Sequence, residues 1–141
     1  MIYLDSSAIV KLVRVEAESD SLRAWVEEHH AATLVSSCLA EVEVVRALRR
    51  YEAPAVAGVP AVMAHMLRLD VDARIREMAA SYNMVGLRTL DAIHLATAEV
   101  LHADRYGLES FVAYDAHLRA AAAARGLTTV CPGLGDSGPE P

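Results

Sequence analysis

Apolar and polar positions along this chain follow two periods, and the switches between them mark its elements. Ile2, Tyr3 and Leu4 form a short uncharged run of strand-forming residues, after which Asp5 and two serines lead into a helix-period run from Ser7 to about Val13. A second helical pattern runs from Ser19 to His29 behind a Ser-Asp-Ser cap signal, and Thr33 to Ser36 reads as the second strand. Ser36 and Ser37 introduce a long helix through Tyr51, which the two prolines and the glycine of EAPAVAGVP interrupt as a loop. Beyond that loop the pattern predicts helices at Ala61 to Leu67 and Asp72 to Asn83, split by LDV, and a weak strand around Val85. A helix capped by Thr89 or Asp91 extends through Ala103. Ser110 to Tyr114 is a clear strand, Ala116 to Arg125 an alanine-rich helix closed by Gly126, and Thr128 to Cys131 the final strand.

Strands that alternate with helices predict an α/β fold of three layers, with a small central parallel sheet and helices on both faces. The chain of 141 residues is expected to form one domain over 1–132, followed by a flexible tail over 133–141 where breakers dominate and no apolar period persists. A composition 54% hydrophobic but only 5% aromatic fits closely packed helices better than an all-β sandwich. Cys38 and Cys131 stand far apart among apolar residues and read as small buried hydrophobes, not as a disulfide or metal pair. No charged segment followed by an apolar core opens the chain, and no apolar run reaches the length of about 18 residues that a membrane span needs, so a cytoplasmic protein is expected.

Charge narrows the function. A net charge of −6 is the wrong sign for a module that holds nucleic acid through its overall field. The cations are nearly all arginine, Lys11 being the only lysine, and they cluster at Arg46, Arg49 and Arg50 and at Arg68, Arg74 and Arg76. Guanidinium forks suit phosphate, so a local basic patch can work against an acidic background; a solvated helix face is the plainer reading of the same clusters.

Four carboxylates stand out by position: Asp5 after the first strand, Glu43 in the helix after the second, Asp91 at a helix start and Asp115 after SFVAY. Each alone reads as a cap or a surface acid. Together at one sheet edge they would repel and resist ionisation unless a cation neutralised them, and Mg²⁺ or Mn²⁺ suits oxygen donors. The helical wheel leaves the second acid open, because Glu41 falls inside the apolar arc formed by Ala40, Val44, Ala47, Leu48 and Tyr51 while Glu43 lies at its border. His94, one turn after Asp91 on the same helix face, is geometrically able to form an Asp–His ligand pair, though packing beside the site is the simpler role. His29, His30, His65, His102 and His117 show no ligand spacing.

The stretches YLDSSAIVKL, VEVVRALRR, LRTLDAIHLATA and FVAYDAHLRAAAAARGL, in order from residue 2 to about 131, resemble the PIN-domain ribonucleases, in particular the toxins of VapBC toxin–antitoxin systems. The resemblance implies a PIN-like three-layer domain and a metal-dependent endoribonuclease that leaves a 5′-phosphate on single-stranded or looped RNA. It makes Asp5, Glu43, Asp91 and Asp115 the catalytic and metal-binding acids, with Ser7 supporting the first; Glu43 is chosen over Glu41 because a small residue, Ala47, follows it by four. Arg46, Arg50 and Arg88 are the candidates to grip RNA phosphates. A cognate VapB-like antitoxin wrapping the helices of 19–51, and a homodimer through the middle helices of 61–83, are the implied partners. The chain departs from the family at Ala113, where threonine is common, and at His117, where some members carry another acid. Two rival classes are poorly served: a receiver-like module needs paired acids after its first strand and a late lysine, and a nucleotide-binding domain needs G-x-G-x-x-G after Leu4. A catalytically weak PIN-fold scaffold, acting through protein contacts, is the closer alternative.

Overall fold

The computed structural model describes residues 1–104 and 107–135. Five parallel strands lie in the order β3-β2-β1-β4-β5, formed by β1 (Ile2–Leu4), β2 (Leu34–Ser37), β3 (Met66–Leu69), β4 (Ser110–Val112) and β5 (Thr129–Val130). Around them run α1 (Ser6–Val13), α2 (Ser19–Glu28), α3 (Ala40–Tyr51), α4 (Val59–Met63), α5 (Ala73–Ser81), α6 (Thr89–Ala103) and α7 (Ala116–Ala124). The expected three-layer α/β/α architecture is what the chain forms.

Strand alternation sorts the core into two layers. Ile2 and Leu4, with Val112 of β4, turn toward Ala8 and Ile9 of α1, Leu22 of α2 and Ala40, Val44 and Leu48 of α3. Tyr3, Val35 and Phe111 turn the other way, against Leu95, Ala98 and Leu101 of α6 and Leu118, Ala121 and Ala122 of α7. Tyr3 and Phe111 stack with ring centroids 5.2 Å apart. Ile75 carries α5 onto Ala96 and Val100 of α6. The chain leaves β1 for β2 and β3 on one side and returns to place β4 on the other, so the order reverses between β1 and β4. In open parallel sheets such a reversal opens a crevice at the carboxyl ends of the two strands, which is where ligands bind.

Several local expectations are corrected. The segment read as a helix from Ala61 to Leu67 ends at Met63, and Met66–Leu69 is instead an edge strand paired with Leu34–Ser37. Its sequence, MLRL, has no β-branched residue, so the ladder with β2 outweighs weak strand propensity. The supposed loop after Tyr51 holds a 3-10 turn over Ala53–Gly58 and the start of α4, with Pro54 and Pro60 in first-turn positions that need no N–H. Val85 forms no strand; it is fully exposed in a turn with Gly86, whose φ of +83° suits glycine and whose missing Cβ leaves room for the His117 ring. Ser19 caps nothing: its hydroxyl bridges the Glu16 N–H and the Arg14 carbonyl in the loop before α2. Cys38 and Cys131 are free and only partly buried. Of the tail, 136–141 lies outside the described residues, while Leu134 N–H bonds Cys131 and Gly133 packs on Ser21 and Glu18. No helix among the described residues is long and apolar enough to cross a membrane.

Candidate active site

Asp5 and Asp115 cap the helices that follow β1 and β4, whereas Asp91 and Glu43 lie in the first turns of α6 and α3. Asp5 follows β1 and caps α1: its Oδ1 accepts the Ala8 N–H at 2.9 Å, and the Ser7 hydroxyl donates to both carboxylate oxygens, at 2.6 and 2.9 Å. Its backbone N–H bonds Val112 of β4, which fixes the β1 end to the strand beside it. Ser7 Oγ in turn accepts the Tyr114 N–H at 2.9 Å, so one hydroxyl ties the ends of β1 and β4 together. Asp115 caps α7, accepting the Leu118 N–H at 2.9 Å. Asp91 lies in the first turn of α6 and accepts the backbone N–H of Arg88 at 3.2 Å, so Arg88 holds the cap position expected of Thr89 or Asp91. Glu43 comes from α3, in the opposite helical layer, and accepts from His94 Nε2 of α6 at 2.8 Å across the crevice.

The acids are held with little positive charge among them. The Arg88 guanidinium bonds Asp91 at 3.0 Å and approaches Asp115 at 3.7 Å, and the charge of Glu43 adds to theirs in raising the arginine's pKa. Asp5 is 4% exposed, and burial pushes its pKa up to about 6 against the pull of His94, Ser7 and the Ala8 N–H, with Glu43 raising it further. Glu43 and Asp91 share an open cleft with Ser7, Arg46, Arg50 and Arg88, rimmed by Leu39, Val42, Ala47, Tyr51 and Leu90.

Glu41 behaves otherwise. It is exposed on α3 and pairs with Arg68 of β3 at 2.6 Å, outside the apolar arc where the wheel put it. His94 does not join Asp91 as a ligand pair; its ring turns inward to Tyr3, Ser6 and Glu43. Ala113 is fully buried among the core residues below the site, and His117 is exposed. Tyr3 and Ser6 are site neighbours that the sequence reading passed over. The only signal for them was adjacency to Asp5.

The donor chemistry fits a divalent ion: hard carboxylate oxygens in one neighbourhood, one guanidinium in contact, and a buried carboxyl that burial holds toward neutrality. Among the described residues the acids are presented singly and not as a closed ligand set, with Glu43 turned to His94 and with Asp91 and Asp115 turned to Arg88.

Comparison with known proteins agrees with this architecture. The PIN domain family model matches residues 2–124. Ribonuclease VapC35 of Mycobacterium tuberculosis is 44% identical over 133 residues, covering 94% of this chain and 98% of its own. Ribonuclease VapC46 of the same species is 46% identical over 132 residues, 93% of this chain and 97% of its own. The crystal structure of M. tuberculosis VapC20, titled as a toxin that cleaves the sarcin-ricin loop, superposes with a TM-score of 0.71 at 19% identity, covering 94% of this chain and all of that one. A three-layer fold, a family match along most of the chain and relatives of this closeness together show that the chain belongs to the PIN domain family, among its VapC-type members.

Proposed function

We propose that the chain is a divalent-metal-dependent endoribonuclease, the toxin of a toxin–antitoxin pair, in which Asp5, Glu43, Asp91 and Asp115 hold Mg²⁺ or Mn²⁺. What supports this reading is that Glu43 and Asp91 line one cleft, Arg88 bonds Asp91 and approaches Asp115, and the charge of Glu43 adds to the rise of the Asp5 pKa. Relatives named as ribonucleases at 44 and 46% identity supply the activity class. A bound divalent ion supplies charge neutralisation at the scissile phosphate and activation of water.

The remaining work falls to the chain. Ser7, which lines the cleft, and the Ala8 N–H hold the buried Asp5 carboxylate in one orientation behind it. Arg46 and Arg50, exposed along the same cleft, bind the phosphates flanking the cut. Arg88 neutralises Asp91 and is close enough to exchange that partner for a phosphate. An overall negative chain thereby confines its attraction for RNA to one groove. The apolar rim formed by Leu39, Val42, Tyr51 and Leu90 supports a second use of the cleft, as the seat of a VapB-like antitoxin.

Purified protein incubated with total RNA and Mn²⁺ tests the activity. New 5′-phosphate ends should appear with wild type and be absent with chelator or with Asp91→Asn, and sequencing those ends identifies the target. Equal cutting by Asp91→Asn or in chelator overturns the reading. The unclosed ligand set favours the scaffold alternative; it gains if wild type and Asp5→Asn bind Mn²⁺ alike.

A further inference from the structure

The geometry points to His94 as the positioning residue for Glu43, with buried Tyr3 holding the far edge of the imidazole. The inference rests on the reading of Glu43 as a site acid and adds a residue to it. His94 is 2% exposed and Tyr3 is fully buried. Both ring nitrogens are engaged: Nδ1 meets the Tyr3 hydroxyl at 2.8 Å, and Nε2 meets Glu43 Oε1 at 2.8 Å and Ser6 Oγ at 3.2 Å.

The partners' chemistry assigns the protons. An ionised carboxylate only accepts, so Nε2 must carry hydrogen toward Glu43. On the other edge the buried Tyr3 hydroxyl meets Nδ1, so the ring is held from both sides. The chain Tyr3–His94–Glu43 runs from one helical layer to the other across the sheet edge, joining residues 51 positions apart. Glu43 sits on an α3 face where it could equally rotate toward Arg46 or solvent. The imidazole takes Oε1 and leaves Oε2 with no protein hydrogen bond among the described residues, so the oxygen offered to the cleft is set from the core. Such partners of a ligating group typically change metal affinity by about 10- to 100-fold when lost.

The test uses the full chain, with two substitutions at His94 and one at Tyr3. In His94→Gln the amide nitrogen stands near the place of Nε2 and can still donate to Glu43; His94→Leu cannot. Mn²⁺ titration by calorimetry, on variants whose thermal melts show them folded, should find His94→Gln within about threefold of wild type and His94→Leu weaker by about 10-fold or more. Ring ¹⁵N–¹H correlation spectra should show a proton on Nε2 of wild-type His94, a signal that moves in Glu43→Gln and broadens in Tyr3→Phe, where the ring loses its second tether. Equal affinity for His94→Leu and wild type, or equal loss in both His94 variants, overturns the proposal, as does a ring with no proton at Nε2. If wild type binds no Mn²⁺, the metal reading falls by itself. The spectra then decide this proposal, since they need no metal.

Discussion

Two acidic regions of this molecule differ in charge balance. Around the end of α1, Glu16 and Glu18 both bond Lys11 at 2.6 Å, and Arg14 stands 3.5 Å from Glu16 and 3.4 Å from Glu52. Three acids there meet two cations, and Lys11 also lies over the Tyr114 ring. At the sheet edge Asp91 and Asp115 meet Arg88, and Glu43 meets the His94 imidazole. The pKa directions follow. The bond from Lys11 lowers Glu18, whereas burial raises Asp5 to about 6. A cluster that supplies its own cations has no use for an ion from solution; one left short of them fits the proposed divalent ion.

The largest expected effect is on cleavage. Glu43→Gln should lower the rate by on the order of 10²–10³-fold, as removal of a preorganised charged group from a site does. Glu18→Gln should leave it unchanged. Initial rates on one RNA substrate at saturating Mn²⁺ make the comparison. A Glu18 variant as impaired as the Glu43 variant would erase the distinction between the regions.

Stability gives the second test. The folded-state pKa of Asp5 is raised from 3.8 to about 6, so the folded chain binds this proton more tightly than the unfolded chain does. Stability from this group therefore falls as pH rises from about 4 to about 6, and the deficit persists above that range. A shift of this size corresponds to on the order of 3 kcal/mol at neutral pH. Asp5→Asn in chelator should then be more stable than wild type by up to roughly that amount at pH 7 and no more stable at pH 4. Urea denaturation across this pH range measures it. A variant less stable at pH 7 would mean that the Ser7 and Ala8 hydrogen bonds outweigh the burial of charge.

Much of this was legible in the chain because it is local. A strand, an acid and a helix in immediate succession put Asp5 and Asp115 at strand ends, and alternation of strands and helices implied the parallel sheet that collects them. What stayed illegible depends on pairing across layers. Glu41 looked anomalous on the wheel because its partner, Arg68, belongs to a strand whose composition reads as helix. The Glu43–His94 bond joins helices on opposite faces of the sheet, and no spacing rule encodes that. The family resemblance chose Glu43 where the wheel favoured Glu41 as the odd residue. The structure places Glu43 in the cleft and Glu41 outside it.

The smallest effect belongs to the balanced region and has the opposite sign. Lys11 is held by two carboxylates; burial alone would lower its pKa, and its bonds to Glu16 and Glu18 raise it instead. Lys11→Met keeps most of the apolar stem while leaving Glu16 and Glu18 without that cation, so the folded state should be slightly less stable than wild type at neutral pH. Because Glu18 is held below its ordinary pKa, the stabilisation is present at neutral pH and fades as acid protonates the carboxylates. Acidification thus erases a loss in Lys11→Met and a gain in Asp5→Asn. The same urea series on both variants reads the charge balance of the two regions directly, and two curves of the same sign would show that burial, and not the supply of cations, separates them.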